Sequence, residues 1–292
     1  MLMKNYYNWH IIDLGFQYRK KKSKSLHEIL GDIIPTKILC LNPNSLIPIG
    51  KMYPELNDFK CQKYMFMDDL WGRNRDENFE LYDLLFSPQL EETAKVYLGK
   101  YSSKHITILI GATVTDICFN KNPQKKISLT GNLRKEYYEG RYNAKLLADE
   151  IKDIEILQHP GYTINKIKKR NKIGLKYYEY LNNFIASITS CAIVRYNSRV
   201  IVSKIFEIPK TGSLLILDKN CESYMEEYGF KNKVNYLQYD SKESLKSIIE
   251  YVLDPNNLEE INKIRKEGYE LVNNKYTLMQ TGKLLDQIIS LR

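Results

Sequence analysis

Long apolar runs are missing from this chain of 292 residues. No window approaches the ~18 consecutive apolar residues of a membrane-spanning helix. Tyr6, Asn8, His10 and Asp13 interrupt the N-terminus where a secretory signal needs an unbroken apolar core. Cysteine is sparse: Cys40, Cys61, Cys118, Cys191 and Cys221 are odd in number and widely spaced, with no CxxC. That pattern argues against a zinc knuckle or a disulfide framework and for a reduced, cytoplasmic interior. Cys40, Cys118 and Cys191 sit in apolar runs and read as core packing. There is no internal repeat, and no low-complexity tract beyond the lysine runs at 20–22 and 166–176.

What is present is globular. Hydrophobic residues make up 43% and charged residues 27%, which excludes wholesale disorder. The formal net charge is +9, from 44 basic and 35 acidic side chains. Residues 1–120 hold 15 and 14 of these and residues 121–292 hold 29 and 21, so nearly all the excess lies in the second part. A local anion site there fits better than an even basic coat, although most of these lysines read as solvated helix faces. Abundant Tyr, Lys, Asn and Ile suggest an AT-rich coding genome, microbial or that of a large DNA virus.

Short apolar runs alternate with amphipathic segments. Runs at 11–14, 37–41, 64–67 and 106–110 read as buried strands, with helices at 25–34 and 88–100. The second helix opens on Ser87-Pro88 as cap and first-turn proline. After the polar stretch 119–123 the alternation restarts. Strands at 127–130, 154–157, 185–194, 213–217 and 234–238 interleave with helices at 139–151, 174–184, 200–208, 221–228, 241–253 and 257–271. The helix at 241 has Asp240 or Ser241 as cap. Two such series predict an α/β chain of two Rossmann-like doubly wound domains. The expected boundaries are 1–120, 121–275, and a C-terminal helix over 276–292 that packs back on a reduced N-terminal domain.

Two segments carry chemistry. In Ile127 to Lys135 a strand runs into Gly131, followed by Asn132, Arg134 and Lys135. A glycine lets backbone approach a ligand, a helix N-terminus offers free N–H groups, and an arginine fork suits a diphosphate. A plain turn with surface cations is the competing reading. In Val200 to Asp218 a helix bears Lys204 and Glu207 and ends at Thr211-Gly212 before an apolar strand. An ionised glutamate accepts two hydroxyl hydrogen bonds and so suits a ribose, or is simply a surface carboxylate.

Lys204-Ile205-Phe206-Glu207 with Thr211-Gly212-Ser213-Leu214-Leu215 resembles the nucleotide-sugar signature of GT-B glycosyltransferases. The nearest branch is the group 1 type resembling spore-maturation-protein-like transferases. The Ile127 to Arg134 turn, the helix after Tyr239-Asp240, Asp254-Pro255 and the run 264–276 fit as well. The likeness covers about 125–292. It is weaker over 1–120, where 64–70 and 105–119 resemble the same branch. The resemblance implies transfer of a sugar from a UDP- or GDP-linked donor to a glycan, lipid or protein acceptor without an obligatory metal or other cofactor. It implies Gly131, Asn132, Arg134, Lys135, Lys204, Thr211 and Gly212 near the phosphates and Glu207 on the ribose. His159 and Tyr162 would line the base pocket. Related retaining enzymes carry two acidic residues separated by seven others; the later corresponds to Glu207, and the earlier place holds Arg199. Asp68, Asp69 and His10 are the acceptor-side catalytic candidates, against cap and structural roles.

The basic cluster Lys166 to Lys176 beside Tyr177, Tyr178 and Tyr180 supports a rival reading as a single-strand nucleic-acid binder. Leu175, Tyr178 and Leu181 at helix spacing favour core packing instead, so no nucleic-acid partner is expected. An exposed basic loop also leaves room for peripheral membrane contact. A GT-B-like binding subunit without turnover is the remaining alternative.

Overall fold

The computed structural model describes residues 25–42, 53–67, 78–109, 117–158, 175–194 and 198–291. Backbone contacts divide the chain into two units, 1–110 with 281–292, and 111–280. Each has its own parallel sheet.

The first unit holds α1 (Leu26–Leu30), β1 (Lys37–Asn42), β2 (Gln62–Met67), β3 (Leu84–Ser87), α2 (Glu91–Leu98) and β4 (His105–Thr107). Its strands lie in the order β1-β2-β3-β4, all parallel. Alternate side chains point to opposite faces, and both faces are covered. Met65, Met67 and Leu85 pack with Leu26, Ala94 and Leu98 on one side. Tyr64, Phe66 and Phe86 pack with Leu285 and Ile289 of the C-terminal helix Leu278–Ser290 on the other. That helix is pinned by Lys37 Nζ donating to the Ile289 carbonyl and by Thr281 Oγ1 donating to the Leu109 carbonyl at 2.8 Å. Burial on both faces explains why these strands read as continuous apolar runs.

The second unit runs β5 (Gln124–Gly131), α3 (Glu139–Ala148), β6 (Ile154–Gln158), α4 (Leu175–Asn182), β7 (Phe184–Thr189), β8 (Ala192–Ile193), β9 (Arg199–Val200), α5 (Lys204–Lys210), β10 (Leu214–Asp218), α6 (Glu222–Glu227), β11 (Leu237–Tyr239), α7 (Lys242–Leu253) and α8 (Leu258–Lys275). The sheet order is β11-β10-β7-β5-β6, all parallel. Counted within the unit this is 2-1-3-4-5, a doubly wound order that reverses between β5 and β7. Buried hydroxyls of Ser128, Ser187 and Ser213 satisfy one another across β5, β7 and β10 at 2.6 and 2.9 Å.

Several local expectations need correction. Leu84–Ser87 is a strand, β3, where the sequence predicts none, so Ser87 ends a strand instead of capping a helix; α2 begins at Glu91, four residues later, with Leu90 as its cap. The expected strand 185–194 breaks after Thr189, and only Ala192-Ile193 continues, paired with β9. Ser241 caps α7, with the Ser244 hydroxyl completing the box. Leu175 is 52% exposed, and the buried stripe of α4 is Tyr178, Tyr180 and Leu181. Cys118 is exposed. Cys191 and Cys221 are joined as a disulfide with their Cα atoms 5.8 Å apart, against the expectation of unpaired thiols. The strand expected at 11–14 lies outside the described residues.

Candidate functional site

In a doubly wound sheet, the crevice outside the carboxyl ends of the strands at the order reversal is the natural ligand position. Here it lies past Gly131 of β5 and Thr189 of β7. Gly131 adopts φ +103, a region that disfavours side chains. A Cβ there would stand 2.6 Å from Arg141 Nη1 and 2.9 Å from Lys204 Cε. Glycine is required because two cationic side chains close on this one backbone position.

Arg141 is the third residue of α3 and only 2% exposed. Nε donates to Thr189 Oγ1 at 3.1 Å, Nη2 to the Ser190 carbonyl at 3.2 Å and Nη1 to the Asn132 carbonyl at 3.4 Å. Its guanidinium lies 4.0 Å from the Tyr138 ring centroid. Among the described residues no carboxylate stands within ion-pair distance of it. Burial lowers its pKa, opposed by Tyr138, Tyr177, Tyr239 and Asp218 nearby. An arginine stays charged under such a shift, and a buried cation without a counter-ion is costly. Such a cation at a crevice mouth can receive an anion.

Lys204 opens α5, and its Nζ stands 3.8 Å from Glu207 Oε2, with side chains 21% and 19% exposed. Burial works to lower the Lys204 pKa, but the neighbouring Tyr177 and Glu207 outweigh it, and the net direction is upward. Lys204 is therefore a firm ammonium ion. Among the described residues, Glu207 Oε2 is buried with no hydrogen-bond partner, and the cation facing it is Lys204 Nζ at 3.8 Å. The hydroxyls of Ser190 and Tyr239 are likewise buried and without a hydrogen-bond partner among these residues. They meet under Gly140 of α3, where a Cβ would stand 2.5 Å from Tyr239 Oη, 3.0 Å from Ser190 Cβ and 3.3 Å from Asp218 Cβ.

The structure thus brings together Gly131, Asn132, Lys204 and Glu207 of the residues singled out in the sequence, and adds Arg141. Arg134 and Lys135 do not join them. Arg134 is exposed, 3.9 Å from Glu136 and over the Tyr137 ring, and Lys135 lies over the Tyr142 ring. Thr211 and Gly212 are at the other end of α5, seven residues or about 10 Å along its axis from Lys204. The Thr211 hydroxyl donates to the Ile208 carbonyl. Gly212 has φ +80, and a Cβ there would meet the Phe119 ring at 2.8 Å. Its carbonyl accepts from the buried Arg265, which also bonds the Asn120 carbonyl and stacks on Phe119. That pair of residues anchors the entry to the second unit. His10, Asp68, Asp69, His159 and Tyr162 lie outside the described residues, as do Lys166 to Lys172.

Among the described residues no helix is long and apolar enough to cross a membrane. No protein-family model matches the sequence, and no curated protein matches it. Solved structures do match. The chain is similar to sucrose-phosphate synthase from Thermosynechococcus elongatus, with TM-score 0.62 and 12% identity over 97% of this chain and 81% of that one. It is similar to Anabaena HepE, solved with UDP and glucose, with TM-score 0.60 and 8% identity over 88% of this chain and all of that one. TarM gives TM-score 0.59 and 13% identity over 90% of this chain and 57% of its own. These neighbours are GT-B glycosyltransferases, and the chain has their fold.

Proposed function

We propose that the chain is a nucleotide-sugar-dependent glycosyltransferase whose second unit holds the donor. The observation that carries this is a pair of cations, the buried Arg141 and the half-buried Lys204, meeting at Gly131 beside the half-buried carboxylate Glu207, whose Oε2 is left open among the described residues. The cations take the diphosphate, and Glu207 accepts hydrogen bonds from the ribose hydroxyls. When the sugar–phosphate bond breaks, negative charge grows on the diphosphate. Arg141 is already held by three hydrogen bonds and Tyr138, so it stabilises that charge without reorganising. The neighbours solved with UDP or UDP-glucose favour a UDP-linked donor, with GDP the alternative base. The acceptor is a glycan or a glycosylated lipid or protein, served from the first part of the chain by Asp68, Asp69 or His10.

A melting screen with nucleoside diphosphates tests this. A ligand at a hundred times its Kd adds about 2.7 kcal/mol, which is roughly 5–10 °C for a unit of this size. The expected result is such a rise with UDP or GDP and transfer or hydrolysis from the matching nucleotide sugar. An unchanged melting curve with every common nucleoside diphosphate overturns the reading. A rise with no turnover of any donor leaves a binding subunit in its place.

A further inference from the structure

A guanidinium carries five N–H donors in a fixed plane. In Arg141 three of them are committed: Nε to Thr189 Oγ1 at 3.1 Å, one on Nη2 to the Ser190 carbonyl at 3.2 Å and one on Nη1 to the Asn132 carbonyl at 3.4 Å. Among the described residues the second N–H on each Nη has no partner. All three acceptors are neutral, and so is the Tyr138 ring stacked 4.0 Å from the guanidinium carbon. A carboxylate in their place would grip the side chain harder but would neutralise it. Among the described residues Thr189 gives Arg141 its one side-chain acceptor. Thr189 ends β7 and is fully buried. Threonine is β-branched, so its χ1 is restricted and Oγ1 is held in place. Nε is the inner corner of the guanidinium, and a bond there fixes where the two outer nitrogens point.

We propose that Thr189 is a positioning residue of the donor site: by accepting from Nε it aims the two uncommitted N–H groups of Arg141 as a fork at one phosphate group, and, being neutral, it leaves the positive charge to that ligand. The inference rests on the donor-site reading above. Such a fork matches two oxygens of one phosphate. Without the Thr189 hydroxyl the buried Nε–H has no acceptor, which is costly. The guanidinium then turns to find one, and the fork turns with it. A plain packing role for Thr189 has no such consequence, because a side chain of the same shape would fill it equally well.

The test uses the full chain with UDP and uridine as probes, or GDP and guanosine if the melting screen selects that base. Thr189→Val keeps the shape of the side chain and removes the acceptor. It is expected to weaken UDP about three- to tenfold, the worth of one hydrogen bond, and to leave uridine unchanged. Thr189→Ser keeps the oxygen and is expected to bind UDP as wild type does. In the Arg141→Met background, Thr189→Val is expected to have no further effect on UDP. Thr189→Ala removes the same acceptor with less bulk and serves if Thr189→Val does not fold. Any of four results overturns the inference while the donor site stands: no loss of UDP affinity in Thr189→Val, an equal loss for uridine, an equal loss in the Arg141→Met background, or a serine variant as weak as the valine one. A wild-type chain that binds no nucleoside diphosphate overturns both.

Discussion

Gly131→Ala probes the packing of the site with one methyl group. At φ +103 a side chain brings backbone strain of roughly 1–3 kcal/mol. The new Cβ would also stand 2.6 Å from Arg141 Nη1 and 2.9 Å from Lys204 Cε. Lys204 can swing, but Arg141 is tied by three hydrogen bonds, so overpacking adds about 1–3 kcal/mol. The sum is roughly 2–6 kcal/mol, or a fall in melting temperature of several degrees to about 20 °C. Gly229→Ala is the control. It lies in the same unit with φ +72 and has nothing within 4 Å of a Cβ, so it carries strain alone, about 1–2 kcal/mol. Paired melts of the two variants, with and without UDP, give both readouts. Gly131→Ala should lose more stability than Gly229→Ala and should also lose the UDP-induced rise, which Gly229→Ala keeps. Equal destabilisation with an intact rise in both would refute the placement of the two cations.

Three further outcomes are expected. Glu207→Gln should weaken UDP roughly 10- to 100-fold, from about 1.5–3 kcal/mol in hydrogen bonds to a charged group, and should erase discrimination between UDP and 2′-deoxy-UDP in a binding titration. Arg265→Met should destabilise by roughly 2–5 kcal/mol, because it strands the buried Gly212 carbonyl and the half-buried Asn120 carbonyl; in thermal melts the UDP-induced rise should survive, since Arg265 bonds the end of α5 away from Lys204 and Gly131. His105 lies 2.8 Å from Ser87 Oγ, and burial depresses its pKa to about 4 against an ordinary 6.5. The unfolded chain then binds the extra proton first. The contribution of His105 to stability is full above about pH 6.5 and fades as the pH falls toward 4. Comparing the pH dependence of melting for wild type and His105→Asn should show a flatter acid limb in the variant.

Much of the fold is legible in the sequence because buried parallel strands read as short unbroken apolar runs. β1, β2 and β10 announce themselves in this way, and β5, β6 and β7 do so as apolar runs broken by single polar residues such as Ser128, Glu155 and Ser187. β3 does not, because its four residues end in Ser87, and Ser87-Pro88 mimics a helix start. In the site, Gly131, Lys204 and Glu207 could be named from the pattern of strand, glycine and helix. Arg141 was hidden by the nearer cations Arg134 and Lys135. The available signal was its period: Arg141, Ala144 and Leu147 fall three apart and form the buried stripe of α3, so an arginine stood where a core residue is expected. Thr211 and Gly212 follow Glu207 closely in sequence, but the intervening helix sends them to the opposite end of the sheet. The contact between Cys191 and Cys221 spans 30 residues and depends on how the ends of β7 and β10 converge, which spacing alone does not encode.

The central claim is that Arg141 and Lys204 form a diphosphate site. Calorimetric titration of UDP and of uridine into wild type and Arg141→Met tests it most directly. The account predicts that wild type binds UDP more tightly than uridine, and that Arg141→Met lowers UDP affinity at least tenfold while leaving uridine affinity within about twofold. Equal affinity of wild type for UDP and uridine, or an Arg141→Met variant that binds UDP as wild type does, would contradict it.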